Sequence, residues 1–342
     1  MNPFRLSALA AALVSSCLIT WLVRRFAPRF GIIDVPNSRS SHTVPTPRGG
    51  GIGIVFAVLA VVGIARFFPG ISAEWSAALF VGGGLVAAAG VLDDFLDLPP
   101  LTRTALHILA AGWVLWRINV LDVLHHTVLA RWAWPATVLC LVLILWNTNL
   151  FNFMDGIDGL AGSQLVFVAL AQGALLWMDG IRDISFLYWV MAAAGMGFLM
   201  WNWPPAKIFM GNTGSEFVGF AFGVMIIFSG TYGLRYLLAS LILSLVFSTD
   251  ATLTLLRRMS LGNQWYKAHR AHAYQHAAQR FGSHRAVTLA VLVGNIFWLF
   301  PLAWLVVVRE SCSSAALLAA AIPVVAVVAY FRPGEDQYPG NN

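Results

Sequence analysis

The chain has 342 residues, of which 59% are hydrophobic and only 11% are charged, and its mean hydropathy is +0.75. This composition excludes an ordinary soluble globular protein and is typical of proteins that cross a membrane several times. The net charge of +6 does not indicate nucleic-acid binding, because the basic residues gather at the ends of apolar segments, as they do in membrane proteins. The three cysteines show neither a disulfide framework nor the spacing of a metal site.

Apolar segments of membrane-spanning length follow one another along the whole chain. A helix needs about 20 apolar residues to cross a bilayer, and roughly eleven segments approach that length. They cover residues 4–26, 50–68, 75–92, 104–120, 133–150, 159–178, 184–203, 216–230, 235–256, 286–308 and 314–331. We therefore expect an all-α polytopic bundle of about eleven transmembrane helices, in which residues 1–342 form a single domain.

The distribution of arginine and lysine predicts how this bundle is oriented. These residues are concentrated in the segment after the first span and in the segment after the ninth. Basic loops remain in the cytoplasm, so both segments should face it. The amino terminus is then periplasmic and the carboxyl terminus cytoplasmic, in a multi-pass protein of the bacterial inner membrane.

The first basic segment contains Arg48 followed by three glycines at residues 49–51. Glycine lets backbone amides approach an anion closely, and an arginine can neutralise a phosphate. Glycines and prolines also occur in loops that bind nothing, so this segment alone is weak evidence for a phosphate site.

Two clusters of polar residues, mostly acidic, lie at the ends of predicted spans. They are Asp93, Asp94 and Asp97 after the third span, and Asn149, Asn152, Asp155 and Asp158 after the fifth. A charge in the middle of a bilayer costs about 2.5–3.5 kcal/mol on insertion scales, so acidic residues grouped at span ends indicate a function. Both clusters should face the cytoplasm, and Mg²⁺ typically binds one or two carboxylates together with substrate phosphates. The alternative is that these residues are simply solvated helix ends.

Two later loops carry further polar residues. The connection at residues 207–216 combines a lysine, small residues and the start of a helix, which together can cradle a phosphate. The loop after the ninth span contains His269, His272 and His276, and the spacing predicts that the last two share one helix face. A zinc site is disfavoured, because neither the glutamate of a zincin motif nor cysteines accompany them, and a hydrogen-bonding surface for phosphate explains them better.

Taken in order, these motifs resemble those of the polyprenyl-phosphate N-acetylhexosamine-1-phosphate transferases. That family includes the phospho-muramoyl-pentapeptide translocase and the transferases that begin O-antigen and enterobacterial common antigen synthesis. The resemblance extends from the first loop through the ninth. Its most specific parts are the paired aspartates and the Asn-x-x-Asn-x-x-Asp-Gly-x-Asp-Gly motif. The histidine loop, His-Arg-Ala-His-Ala-Tyr-Gln-His, is most similar to the O-antigen-initiating branch.

The resemblance implies a role for each motif. The catalytic residues that it implies are Asp93, Asp94 and Asp155, with Asp97 as a looser third member of the first cluster. The substrate-binding residues that it implies are Asn149, Asn152, Asp158, Arg48, Phe209, His269, His272 and His276. The metal ligands that it implies, for Mg²⁺ or alternatively Mn²⁺, are Asp93, Asp94, Asp155 and Asn212.

One residue departs from the family pattern. The family usually has an aspartate after Phe-Met-Gly, where it reaches the metal, whereas this chain has Asn212. An amide oxygen can still bind Mg²⁺ but brings no negative charge.

The resemblance also implies a reaction, in which a sugar 1-phosphate passes from a UDP-N-acetylated sugar to undecaprenyl phosphate and UMP leaves. UDP-FucNAc, UDP-QuiNAc and UDP-GlcNAc remain as donors, and both a one-step route and an aspartyl-phosphate intermediate remain open. A homodimer is neither required nor excluded. Two alternative functions are a catalytically silent scaffold of a glycan assembly complex and a secondary transporter.

Overall fold

The computed structural model describes residues 3–36, 44–65, 72–120, 130–263 and 269–335, and these residues are almost entirely helical. We number the main helices in chain order. They are α1 (Pro3–Phe26), α2 (Ile52–Ala65), α3 (Ala73–Leu96), α4 (Pro100–Arg117), α5 (Ala133–Met154), α6 (Leu160–Met178), α7 (Arg182–Asn202), α8 (Gly211–Thr231), α9 (Leu234–Leu243), α10 (Leu245–Ser260), α11 (Ala273–Phe281), α12 (His284–Val308) and α13 (Ser313–Tyr330). Two short strands, β1 (Ile33–Asp34) and β2 (Thr46–Pro47), pair in antiparallel fashion.

The all-α polytopic fold is confirmed. Eight helices of the described chain are long and apolar enough to cross a membrane, or nine when the bent pair α9 and α10 counts as one span. Every apolar segment singled out in the sequence is helical over most of its described length. The helix α2, with 14 residues, is short for a membrane-spanning helix. The total of about eleven spans and the orientation therefore stay predictions.

The ninth predicted span differs from expectation, because it is two helices bent by 68°. Residue Ser244 separates α9 from α10. A bend of this size removes backbone hydrogen bonds, which inside a membrane need another partner. The side-chain amide of Gln164 in α6 donates to the Leu243 carbonyl at 3.0 Å and supplies one.

Helix α8 lies at the centre of the bundle and is buried along nearly its whole length. It packs against α3 and α5 at distances that only glycine allows. A Cβ atom at Gly219 would lie 2.2 Å from the Asn147 carbonyl oxygen, and one at Gly90 would lie 2.6 Å from the Thr213 Cα. Small residues of this kind let membrane helices approach closely. The carboxyl ends of α3 and α5 therefore meet at the amino end of α8.

The first loop is fastened to this meeting point by backbone hydrogen bonds. The Phe209 amide donates to the Pro47 carbonyl, and the Gly50 amide donates to the Phe209 carbonyl, both at 2.9 Å. Gly51 then packs against Gly214 so closely that a Cβ on Gly51 would lie 2.3 Å from the Gly214 Cα. These glycines serve to bring two backbones together.

Candidate functional site

The two polar clusters predicted from the sequence come together at one end of the bundle. Asp93 and Asp94 lie in the last turn of α3. Asn152 lies in the last turn of α5, and Asp155 is the first residue after that helix. All of them face the first turn of α8, where Asn212 lies. We name Asp93, Asp94, Asn152, Asp155 and Asn212 the carboxylate cluster.

Asp94 caps the amino end of α8. Its Oδ1 accepts a hydrogen bond from the backbone amide of Asn212 at 3.1 Å. Its Oδ2 accepts hydrogen bonds from the backbone amide of Thr213 at 3.1 Å and from the Thr213 hydroxyl at 2.7 Å. A negative charge at a helix amino end also interacts favourably with the helix dipole. The Arg48 side chain donates to the Asp94 carbonyl at 2.8 Å, so the arginine of the first loop is held at this site.

Asp93 is buried in a network of donors. Its Oδ2 accepts from Arg103 Nη1 at 2.8 Å and from Asn212 Nδ2 at 2.7 Å, while its Oδ1 accepts from the Leu98 amide at 2.9 Å. The network continues inward, because Arg103 Nε lies 3.5 Å from Oε1 of Glu216. Three separate donors, Arg103, Asn212 and Leu98, therefore fix the conformation of the Asp93 side chain.

The inner end of this network is a buried pair that sequence reasoning missed. Glu216 Oε2 lies 3.2 Å from His107 Nε2, and both residues are almost fully buried. Buried charged groups need partners, and here Arg103 and His107 provide them for Glu216. The signal was present in the sequence, because charged residues inside or next to apolar spans are expensive and mark function.

The Asn212 side chain links the two predicted clusters. Its Nδ2 donates to Asp93, and its Oδ1 accepts from Asn152 Nδ2 at 2.9 Å. Asn152 also donates to the Ser215 hydroxyl at 3.2 Å. Both ends of the Asn212 amide therefore have a partner, and its oxygen keeps a second lone pair.

The carboxyl group of Asp155 has a shifted pKa. Burial raises the pKa of Asp155 well above its usual range, the Gly211 amide lowers it, and the carboxylates of Asp158 and Asp94 raise it further. Several carboxylates this close favour either a proton or a cation. Among the residues that the structure describes, no three His, Cys, Asp or Glu side chains form a metal site by themselves. Mg²⁺ usually binds only one or two carboxylates and completes its coordination with phosphates and water, so the magnesium site stays a prediction.

Three of the predicted residues have other surroundings. Asp158 accepts from the Ala206 amide at 2.9 Å and lies 3.2 Å from His284 Nδ1, at a cavity of about 450 Å³ that Phe209 and Arg285 also line. Asn149 donates to the Leu145 carbonyl of its own helix. Asp97 is exposed, with a left-handed backbone at the end of α3.

The histidine loop packs beside the carboxylate cluster. Asp250 of α10 lies 3.2 Å from His272 Nδ1 and accepts from the amides of the next two residues, so it caps α11. Because α11 begins after His272, this histidine precedes the helix that carries His276, contrary to the predicted shared face. His269 stacks on His272 with ring centroids 5.1 Å apart. His276 Nδ1 lies 2.7 Å from the Phe331 carbonyl.

Tyr274 connects this loop to α5. Its hydroxyl donates to the Phe153 carbonyl at 2.9 Å, two residues before Asp155. Burial and the charges of Asp250 and Asp155 raise the pKa of Tyr274 well above its usual range, so the phenol keeps its proton and can donate. Asp250 and Tyr274 were both missed from the sequence, although Asp250 is an acid within a predicted span.

Comparison with known proteins identifies the family. The sequence model of Glycosyl transferase family 4 matches residues 76–230, which include the whole carboxylate cluster. The probable undecaprenyl-phosphate N-acetylglucosaminyl 1-phosphate transferase of Bacillus subtilis strain 168 is 32% identical, over 85% of this chain and 82% of the relative. The decaprenyl-phosphate N-acetylglucosaminephosphotransferase of Mycolicibacterium smegmatis is 30% identical, over 85% and 79%. The undecaprenyl-phosphate alpha-N-acetylglucosaminyl 1-phosphate transferase of Escherichia coli K12 is 26% identical, over 86% and 83%. The chain therefore belongs to the polyprenyl-phosphate hexosamine-1-phosphate transferase family.

Proposed function

We propose that this protein transfers N-acetylglucosamine 1-phosphate from UDP-GlcNAc to undecaprenyl phosphate and releases UMP. The observation that carries the proposal is the carboxylate cluster, in which three helix ends meet at one end of the bundle. The names of the relatives support N-acetylglucosamine as the sugar. The reaction would be the first membrane step of O-antigen or a related envelope glycan, on the cytoplasmic side of the inner membrane.

The chemistry requires positioning and charge neutralisation more than covalent participation of the protein. Asp155, with Asp93 or Asp94 and the Asn212 oxygen, would hold Mg²⁺, which neutralises the diphosphate of the donor. An oxygen of the lipid phosphate attacks the sugar-bearing phosphorus, and the bond from this phosphorus to the oxygen of UMP breaks.

The lipid phosphate would lose its proton to a carboxylate oxygen of the cluster that does not hold Mg²⁺. Without the metal, burial raises the pKa of Asp155 well above its usual range, and a carboxylate with a raised pKa accepts a proton more readily. By contrast, both oxygens of Asp93 and of Asp94 already accept hydrogen bonds, which favours direct transfer over an aspartyl-phosphate intermediate.

The cavity beside Asp158 is the proposed site of the donor nucleotide. It joins the aromatic side chain of Phe209, the carboxylate of Asp158 and the cation Arg285 in about 450 Å³. An aromatic face can stack on a base, a carboxylate can accept from it, and a guanidinium can neutralise a phosphate.

A separate apolar cavity of about 500 Å³ suits the prenyl chain of the acceptor. Helices α10, α11, α12 and α13 line it, and Met154 and Tyr274 form its end near the carboxylate cluster. Burying an apolar chain in such a cavity is favourable at about 25 cal/mol per Å².

A panel assay tests the proposal. Purified protein with undecaprenyl phosphate and Mg²⁺ would be given UDP-GlcNAc, UDP-FucNAc or UDP-QuiNAc, and UMP release would be measured. We expect release with UDP-GlcNAc, abolished in Asp93→Asn and retained in Asp97→Asn, a matched control at an exposed position of the same segment. UMP release with one of the other sugars instead would reassign the donor. No release with any donor would support the silent scaffold or the transporter.

The transporter is the less favoured of these two alternatives. Transporters place their ion sites near the middle of the membrane, in discontinuous helices. Here the carboxylates lie at helix ends, while the bent pair α9 and α10 contributes Asp250 as a cap for α11.

A further inference from the structure

A basic cavity lies beside the end of α1, apart from the sites proposed above. Its volume is about 340 Å³, and its lining residues are Trp21, Arg24, Arg25, Pro28, Pro47 and Lys207. None of them belongs to the carboxylate cluster or lines the cavity beside Asp158. From the sequence, Lys207 was expected to join the loop that cradles the substrate phosphate, but in the structure it lines this separate cavity.

The cations of this cavity have no counter-ion within the described part of the chain. Arg24, Arg25 and Lys207 form no ion pair there, whereas Arg103 and Arg257 are each paired with a carboxylate. Like charges held close together repel, so an arrangement of this kind favours an anionic ligand.

A tryptophan holds two of these cations in place. The Arg24 guanidinium lies 5.2 Å and the Lys207 ammonium 5.6 Å from the Trp201 ring centroid. The Trp201 indole itself donates to the Cys17 carbonyl of α1 at 3.1 Å. Cations from two distant parts of the chain are thus arranged around one fixed ring, which is a form of preorganisation.

The cavity also lies at the end of a candidate membrane-spanning helix. Arg24 and Arg25 are in the last turn of the candidate span α1, and Trp21 is an exposed aromatic residue one turn earlier. Tryptophan is enriched at membrane interfaces, and basic pockets there bind the head groups of anionic lipids. The ordinary preference of cytoplasmic span ends for arginine explains Arg24 and Arg25 but does not explain why a loop lysine joins them.

We propose that this cavity binds a phosphate group, namely that of an anionic phospholipid such as phosphatidylglycerol. The bound head group would also contact Pro47 and Lys207, which connect the cavity to the loop that precedes α8. The Lys207 amide donates to the Trp201 carbonyl at 2.8 Å, and Pro47 accepts from Phe209, three residues before Asn212. Occupancy of the cavity therefore stabilises the loop that enters α8.

Native mass spectrometry of the full-length protein in detergent tests this proposal without relying on enzyme activity. Wild-type protein would be titrated with phosphatidylglycerol and with phosphatidylcholine, and a parallel titration would use soluble glycerol 3-phosphate. The test variant is Arg24→Gln with Lys207→Gln. The matched control is Arg280→Gln with Arg332→Gln, which removes two exposed cations elsewhere.

We expect wild type and control to prefer phosphatidylglycerol over phosphatidylcholine by about tenfold or more, and the test variant to lose that preference. Glycerol 3-phosphate binding that depends on the same two residues would support the phosphate site and identify a soluble ester as its ligand. If neither phosphate ligand binds preferentially, or if the test variant binds like wild type, the proposal is wrong.

Discussion

Replacing Asn212 with aspartate tests the electrostatics of the carboxylate cluster. In the present chain Asn212 Nδ2 donates to Asp93 Oδ2 at 2.7 Å. Aspartate would place a second carboxylate there. Two unit charges about 3 Å apart repel by about 6 kcal/mol at an effective dielectric constant of about 20. Arg103, 2.8 Å from the same Asp93 oxygen, offsets part of this repulsion.

We therefore expect Asn212→Asp to be markedly less stable than wild type in EDTA and to regain stability on addition of Mg²⁺. The assay is thermal unfolding in detergent across a Mg²⁺ titration, together with the Mg²⁺ concentration for half-maximal UMP release, which should fall. Asn212→Ala is the matched control, because it removes the two hydrogen bonds without adding charge. That change should cost about 1–3 kcal/mol in EDTA. Because it also removes the amide oxygen, Asn212→Ala should gain less stability from Mg²⁺ than wild type does. Identical Mg²⁺ dependence in all three proteins would refute the reasoning and remove Asn212 from the metal site.

Three further predictions concern other parts of the account. Because burial raises the pKa of Asp155, the metal-free protein should lose stability as the pH rises from about 4 through that raised pKa, and Asp155→Asn should flatten this slope in thermal unfolding. Glu216→Gln should lower turnover about tenfold with little change in KM, because it weakens the ion pair that positions Arg103, the donor to Asp93. An unchanged kcat would contradict this. In a cysteine-free background, Glu310→Cys should react with a membrane-impermeant thiol reagent in intact spheroplasts and Asp97→Cys should not, and the reverse pattern would invert the orientation.

Much of the fold could be predicted from the sequence, because membrane-spanning helices are recognised by their length and apolar composition. The meeting of Asp93 and Asp155 at one end of the bundle followed from the positions of their spans. The bend at Ser244 could not be predicted in the same way. It interrupts a continuous apolar segment, and its lost backbone hydrogen bond is compensated by Gln164 from another helix.

The partners within the site were less predictable than its members. The sequence identified Asp93 and Asn152 as site residues, but not the contact between them. Their link through Asn212 depends on how closely α3 and α5 approach α8. That distance is set by glycines such as Gly90 and Gly219, whose role appears only in three dimensions. The histidine loop shows the same limit. A spacing of four residues predicted one helix face, whereas capping by Asp250 starts the helix one residue after His272.

The most direct test of the central claim follows the phosphorus atom. UDP-GlcNAc labelled with ³²P in its β-phosphate would be incubated with the purified protein, undecaprenyl phosphate and Mg²⁺. Transfer of the sugar 1-phosphate moves the label into the organic phase as a lipid diphosphate and leaves unlabelled UMP in the aqueous phase. We predict this result, with its loss in Asp93→Asn and its persistence in Asp97→Asn. Label that remains in the aqueous phase as UDP, while sugar enters the lipid, would show transfer of the sugar alone and would contradict the account.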